Sequence, residues 1–323
     1  MTEQITGTPT ASTAPVLECR GLSKVFGHGQ AAVTAVDDVS MSIVAGRPIG
    51  IAGESGSGKS TLLRMMLGLE PPTAGEVCFD GRARPRSPGR DDRARFGAAV
   101  QAVFQDPGGS FDPRMPVWRA VTEPAWATSG LSGRERRTTA GELLELVGLP
   151  TTYLPRLPHQ LSGGERQRLA IARALSCGPR VVLLDEPVTA LDVSVRGAII
   201  NLLRARARDM GVTLAVVSHD LSVIWHLTEY LYVVYGGRIV EQGPTAEVLA
   251  APKHPYTRVL AAATQDPLFA PAIDSDEPPR RDACPYLPRC EFAMDACADV
   301  PPLYVQQSGD RLVRCELHRT TTS

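Results

Sequence analysis

Gly53-Glu54-Ser55-Gly56-Ser57-Gly58-Lys59-Ser60-Thr61 constrains this chain more than any other stretch. The spacing is G-x-x-x-x-G-K-S: a strand must deliver the loop, a helix must leave it, and the backbone N–H groups between must converge on an anion. Both flanks comply. Pro48-Ile49-Gly50-Ile51-Ala52 reads as a short buried strand, and Leu62, Leu63, Met66 and Leu67 recur at helical spacing until Gly68 and Pro71-Pro72 stop the helix. Gly53, Gly56 and Gly58 permit the tight turn. Lys59 is placed to reach the β- and γ-phosphates of a nucleoside triphosphate, and Ser60 to ligate Mg²⁺. Only three of the 34 Lys and Arg residues are lysines, which reads as a compositional bias of the source. One of those three stands in this loop, where a forked guanidinium is a poor substitute for a compact ammonium.

The chain has 323 residues, enough to bury a sizeable core, and a formal net charge of -1. That balance argues against a general nucleic-acid binder. No apolar run approaches the length of a membrane span. Residues 1–14 are mostly Thr, Ala, Gly and Ser and lack an apolar signal core, so a short disordered tail on a cytoplasmic protein is expected.

Residues 16–46 alternate apolar stretches with turns and read as antiparallel strands. Residues 82–95, rich in Arg, Pro and Asp, read as a surface loop, and about 112–178 as a helical subdomain. Val181-Val182-Leu183-Leu184 and Leu214-Ala215-Val216-Val217 are fully apolar strands with a helix between them, over Ala198–Arg208. Such strands belong to a parallel sheet covered on both faces. Leu231–Val240 reads as a hairpin closing the domain. Beyond about residue 250 prolines accumulate, and four of the seven cysteines fall within 284–315, which suggests a separate extension.

Further residues fit one chemistry. Asp185 emerges at the carboxyl end of the first apolar strand, beside the metal, and Glu186 follows where a water could approach the γ-phosphate, suiting it as general base. Ser162-Gly163-Gly164-Glu165 has the form of a capping box whose two glycines leave a helix N-terminus open to an external phosphate. Gln105 can contact metal or water, His219 ends the second apolar strand within reach of a γ-phosphate, and Asp192 follows the acidic pair. Alone, each of these last three is an ordinary polar residue at a strand or loop end. Their order along the chain is what raises them.

The ordered set, from loop through Gln105, Leu161-Ser162-Gly163-Gly164-Glu165, Asp185-Glu186, Asp192 and His219, resembles the nucleotide-binding subunit of an ABC transporter over residues 15–250. The resemblance implies an α/β fold: a P-loop ATPase core with a mostly parallel sheet, an antiparallel β subdomain, a helical subdomain and a Cys-containing extension over 251–323. It implies that Phe26 stacks on adenine. It also implies head-to-tail pairing with a second ABC ATPase subunit, identical or related, in which ATP at Lys59 of one is capped by Ser162, Gly163 and Gly164 of the other.

His254-Pro255-Tyr256-Thr257 and the cysteine-bearing tail resemble the oligopeptide/dipeptide importer subgroup. This implies ATP hydrolysis that powers peptide import, at the cytoplasmic face of the cell membrane, with two transmembrane permease subunits and a solute-binding protein. Coupling residues are expected between Gln105 and Trp126. An importer of nickel or another small solute, and a non-transport ABC ATPase, are the competing readings. In this subgroup the tail can hold a [4Fe–4S] cluster, here on Cys284, Cys290, Cys297 and Cys315. Tetrahedral zinc and four unliganded thiols stay open beside it. Cys19, Cys78 and Cys177 read as small buried hydrophobes.

Overall fold

A computed structural model of the chain describes residues 14–27, 29, 32–106, 108–189, 191–265, 279–301, 303–305 and 310–319. The tail expected over 1–14 lies outside the described residues, Ala14 excepted.

The chain opens with two long antiparallel strands, β1 (Pro15–Phe26) and β2 (Val33–Val44). β3 (Ile49–Ala52) follows, then the phosphate loop and α1 (Lys59–Met66). β4 (Ala74–Phe79) and β5 (Arg82–Ala83) complete a four-stranded sheet in the order β2-β1-β4-β5. Next come α2 (Arg90–Ala99) and β6 (Val100–Val103). So the segment expected as loop over 82–95 is in large part strand and helix. Asp91 and Asp92 in the first turn of α2 favour the helix through its dipole, but Phe96 is its one buried residue, so no apolar stripe marks it.

The helical region holds α3 (Val117–Val121), α4 (Glu123–Ser129), α5 (Gly133–Leu146) and α6 (Gly163–Leu175). The chain then returns to the sheet with β7 (Val181–Asp185), α7 (Val193–Met210), β8 (Thr213–Ser218), α8 (Leu221–Leu227) and the hairpin β9 (Tyr230–Tyr235) and β10 (Arg238–Pro244). α9 (Thr245–Ala250) and α10 (Pro255–Gln265) lead to the tail strands β11 (Tyr304–Val305) and β12 (Leu312–Val313).

The larger sheet has the order β11-β12-β10-β9-β3-β8-β7-β6, and β9, β3, β8, β7 and β6 run parallel. Its central strands β3, β8 and β7 are buried at every position and almost wholly apolar because both faces are covered. Val181 and Leu183 of β7 enter the core shared with the small sheet, while Val182 and Leu184 enter the core shared with the helical region. Each fully buried side chain of this kind contributes about 1.5–3 kcal/mol.

The tail is not the separate unit expected. β12 pairs with β10, and Arg311 makes an ion pair with Glu241 of β10 at 2.6 Å, their side chains 6% and 0% exposed. Glu241 also accepts the Lys253 and His254 backbone N–H groups. Cys19 and Cys78 are buried as expected, whereas Cys177 is only partly so.

Candidate nucleotide site

Four adjacent parallel strands end on one edge, and each delivers a residue there. The phosphate loop follows β3, Gln105 follows β6, Asp185 and Glu186 end β7, and His219 follows β8. Ligands in open α/β sheets bind at this edge, because loops and helix N-termini converge there. A cavity of about 300 Å³ is lined by Ala35, Ser55, Gly56, Gly58, Lys59, Ser60, Thr61, Gln105, Glu186 and His219. A larger cavity of about 650 Å³ opens between α7 and α8 around Trp225, away from all these groups.

Gly58 shows why the loop needs glycine. Its φ is +100°, and a Cβ there would run into the Ala35 carbonyl oxygen. Lys59 is buried, and its Nζ donates to the carbonyls of Gly53 and Glu54, both at 2.7 Å. Burial lowers its pKa, opposed by Glu186, Asp185 and Glu54. Opposite, Ser60 Oγ donates to Asp185 at 3.3 Å. Burial is the chief cause of a raised Asp185 pKa, and a divalent cation between Ser60 and Asp185 would reverse that cost. The donor set, one hydroxyl and one carboxylate at a phosphate site, suits Mg²⁺.

Glu186 sits at φ +49°, a conformation unusual outside glycine. One carboxylate oxygen accepts Thr189 Oγ1–H at 2.6 Å, and the other lies 2.8 Å from His219 Nδ1. Thr189 escaped sequence reasoning. Its only signal is a hydroxyl three residues beyond Glu186.

Not every expected residue enters the cavity. Gly53, Glu54, Ser57 and Asp185 are not part of its lining, although Ser57 Oγ lies 3.4 Å from Lys59 Nζ and Asp185 accepts from Ser60 of the lining. Phe26 is 41% exposed and pairs across from Val33, two residues from Ala35 of the lining. Asp192 precedes α7, outside the lining, and Ala190 beside it is outside the described residues. The Ser162 capping box forms: Ser162 Oγ accepts Glu165 N–H at 3.3 Å, and Glu165 accepts Ser162 N–H at 2.8 Å. Ser162 and Gly163 are exposed and not part of this chain's own cavity, so their helix N-terminus is open to a ligand from outside.

Cys284, Cys290, Cys297 and Cys315 line one closed cavity with His254, Pro255 and Tyr286. Burial pushes the Cys284 thiol up to about 12 and the Cys315 thiol up to about 11. Among the described residues, no group of three or more His, Cys, Asp or Glu is arranged to hold a metal ion. The expected cluster thus has four converging thiols but not a ligand geometry. His254 is 1% exposed; its Nδ1 accepts the Tyr256 N–H at 3.1 Å, and its Nε2 has no partner.

Comparison with known proteins agrees with this geometry. Residues 36–189 match the ABC transporter family model, and residues 240–297 match that of the oligopeptide/dipeptide transporter C-terminal region. The probable D,D-dipeptide transport ATP-binding protein DdpF of Escherichia coli (strain K12) is 41% identical, over 88% of this chain and 90% of that protein. The dipeptide transport ATP-binding protein DppF of Haemophilus influenzae is 36% identical, over 93% and 96%. Among solved structures, the ATP-binding cassette MJ0796, a dimer bound to ADP and Pi, aligns with a TM-score of 0.65 and 31% identity, over 71% of this chain and 98% of that one. CbiO1 of Clostridium perfringens aligns at 0.64 and 26%, over 79% and 96%.

Proposed function

The chain belongs to the ABC transporter ATP-binding family, and we propose from that premise that it hydrolyses ATP to power import of dipeptides or oligopeptides. The ATPase reading rests on one observation: the phosphate loop, Glu186 and His219 meet around one cavity at the ends of adjacent strands, with Asp185 bonded to Ser60 of its lining. The peptide reading rests on the tail's family match and on the relatives' names.

Lys59 leaves the Gly53 and Glu54 carbonyls and turns to the β- and γ-phosphates, where its charge offsets that developing on the oxygens. Ser60 and Asp185, with Gln105, would hold Mg²⁺, which would supply charge that neutralises the same phosphates. Glu186 takes a proton from the attacking water, and His219 and Thr189 hold its carboxylate in place. Ser55, Gly56, Gly58 and Thr61 contribute the cradle. Phe26 stacks on the base, and Gly53, Glu54 and Ser57 support the loop. Ser162, Gly163 and Gly164 close over ATP held by a second ABC ATPase subunit, with Asp192 at the same contact.

Two permease subunits supply the pore, and a solute-binding protein delivers cargo. No helix among the described residues is long and apolar enough to cross a membrane. The family membership, with its membrane permease partners, supports a peripheral position at the cytoplasmic face. The groove between α2 and α4, lined by Leu69, Phe96, Phe104, Pro124 and Ala127, suits permease contact, as do the exposed Leu69 and Trp126 beside it.

For the tail, a [4Fe–4S] cluster on Cys284, Cys290, Cys297 and Cys315 is supported only by the cavity that the four thiols share, and they do not stand there in a ligand geometry. A cluster would cross-link the tail. Iron and acid-labile sulfide on anaerobically purified protein support this reading; zinc without iron, or no metal, overturns it.

The test of function is ATP hydrolysis by the chain assembled with its membrane partners. Stimulation by a peptide-loaded binding protein is expected. Stimulation only by a nickel chelate or another solute would overturn the peptide assignment.

A further inference from the structure

We propose that Arg289 and Tyr256 are positioning residues for the phosphate loop, through which the C-terminal tail sets the affinity for ATP. The proposal rests on the ATPase reading and adds a partner for Glu54.

Glu54 opens the loop one residue after Gly53 and is not part of the cavity lining. Its N–H donates to the Tyr256 hydroxyl at 2.7 Å. Its two carboxylate oxygens both lie 3.4 Å from Arg289 Nη1, one residue from Cys290. Neither contact is local: Tyr256 and Arg289 are 202 and 235 residues further along the chain.

What stands behind these contacts is closely packed. Tyr256 is 3% exposed, and its ring packs on Tyr235 at 4.5 Å and on Tyr286 at 5.6 Å. Tyr286 also lines the cysteine cavity, and Tyr235 ends β9, against which β3 pairs. A Cβ on Gly53 would strike the Val234 carbonyl, so this limb of the loop is already pressed onto β9.

The clamped limb carries the two carbonyls that hold Lys59 Nζ. Lys59 must leave them for the phosphates. If the limb stays fixed, the cradle of N–H groups after it is preset and little ordering is required when ATP arrives. If the clamp is cut, that ordering falls on binding. Glu186 and His219 come from β7 and β8 and bond each other, not the tail, so the chemical step should be spared. The consequence is a raised KM with an unchanged kcat.

The experiment compares steady-state ATP hydrolysis and binding of a fluorescent ATP analogue in the full chain and in Arg289→Gln, Arg289→Lys and Tyr256→Phe. The Phe variant keeps the ring packing and loses only the hydroxyl. Arg289→Gln and Tyr256→Phe should each raise KM and analogue Kd about three- to tenfold, with kcat within about twofold of wild type, as expected for lost hydrogen bonds and an ion pair at a half-exposed site. Arg289→Lys should restore most of the affinity. Wild-type KM in both variants, a parallel fall in kcat, or a Lys variant no better than Gln would overturn the proposal. A wild-type chain that binds no ATP would instead remove the ATPase reading, and the clamp with it.

Discussion

Nδ1 of His219 lies 2.8 Å from the carboxylate of Glu186, although the two residues are 33 apart in sequence. The parallel register brings them together: Asp185 pairs with Val217, so the chain leaves β7 and β8 at the same level. The His219 N–H donates to the same oxygen at 3.2 Å. His219→Ala should therefore lower kcat about 10²-fold, the lower end of a general acid–base contribution, with ATP affinity nearly unchanged. Turnover close to wild type would remove His219 from the mechanism.

Thr189 holds the other carboxylate oxygen at 2.6 Å. Thr189→Val keeps the shape and deletes the donor. One lost hydrogen bond to a charged group is worth about 1.5–3 kcal/mol, or about ten- to a hundredfold in kcat if it is fully felt in the transition state. Single-turnover hydrolysis checks this, and a wild-type rate would reduce Thr189 to a structural role.

Much of the site could be read from the sequence because its chemistry dictates spacing. Gly53 to Thr61, Asp185-Glu186 and Ser162 to Glu165 are local patterns, each tied to one strand end or one helix start. Contacts with no local pattern could not be read. The Glu54–Arg289 and Arg311–Glu241 pairs join segments 235 and 70 residues apart, and no period or motif foretells them. α2 was hidden for a different reason: with Phe96 alone buried, its Arg-, Pro- and Asp-rich surroundings look like loop.

Lys59→Ala removes the charge meant for the phosphates and the donor to Gly53 and Glu54. Loss of hydrolysis by about 10³-fold is expected, comparable to removing a key electrostatic stabiliser. Circular dichroism should show the fold retained. Ordinary turnover by a folded variant would contradict the phosphate-loop assignment.

Arg311→Met strands the Glu241 carboxylate inside the protein. Breaking one side of a buried pair costs about 3–5 kcal/mol, so Tm should fall and the tail should become protease-sensitive near β12. Arg311→Met with Glu241→Gln should recover part of the loss, since no charge is then left unpaired and the amide oxygen can still accept the Lys253 and His254 N–H groups. A single variant as stable as wild type would mean that the pair does not tie the tail to the sheet.

Glu186→Gln separates ATP binding from hydrolysis. The amide cannot take the proton from water, but ATP and Mg²⁺ can still bind. Bound nucleotide should then hold two subunits together, because ligand that binds only the pair stabilises it. The measurement is mass by light scattering, with and without MgATP, for the variant alone and with its companion ATPase subunit. The expected result is an ATP-dependent doubling in mass with hydrolysis abolished. A variant that hydrolyses ATP at the wild-type rate, or one that stays single in MgATP even with its companion present, would overturn this reading.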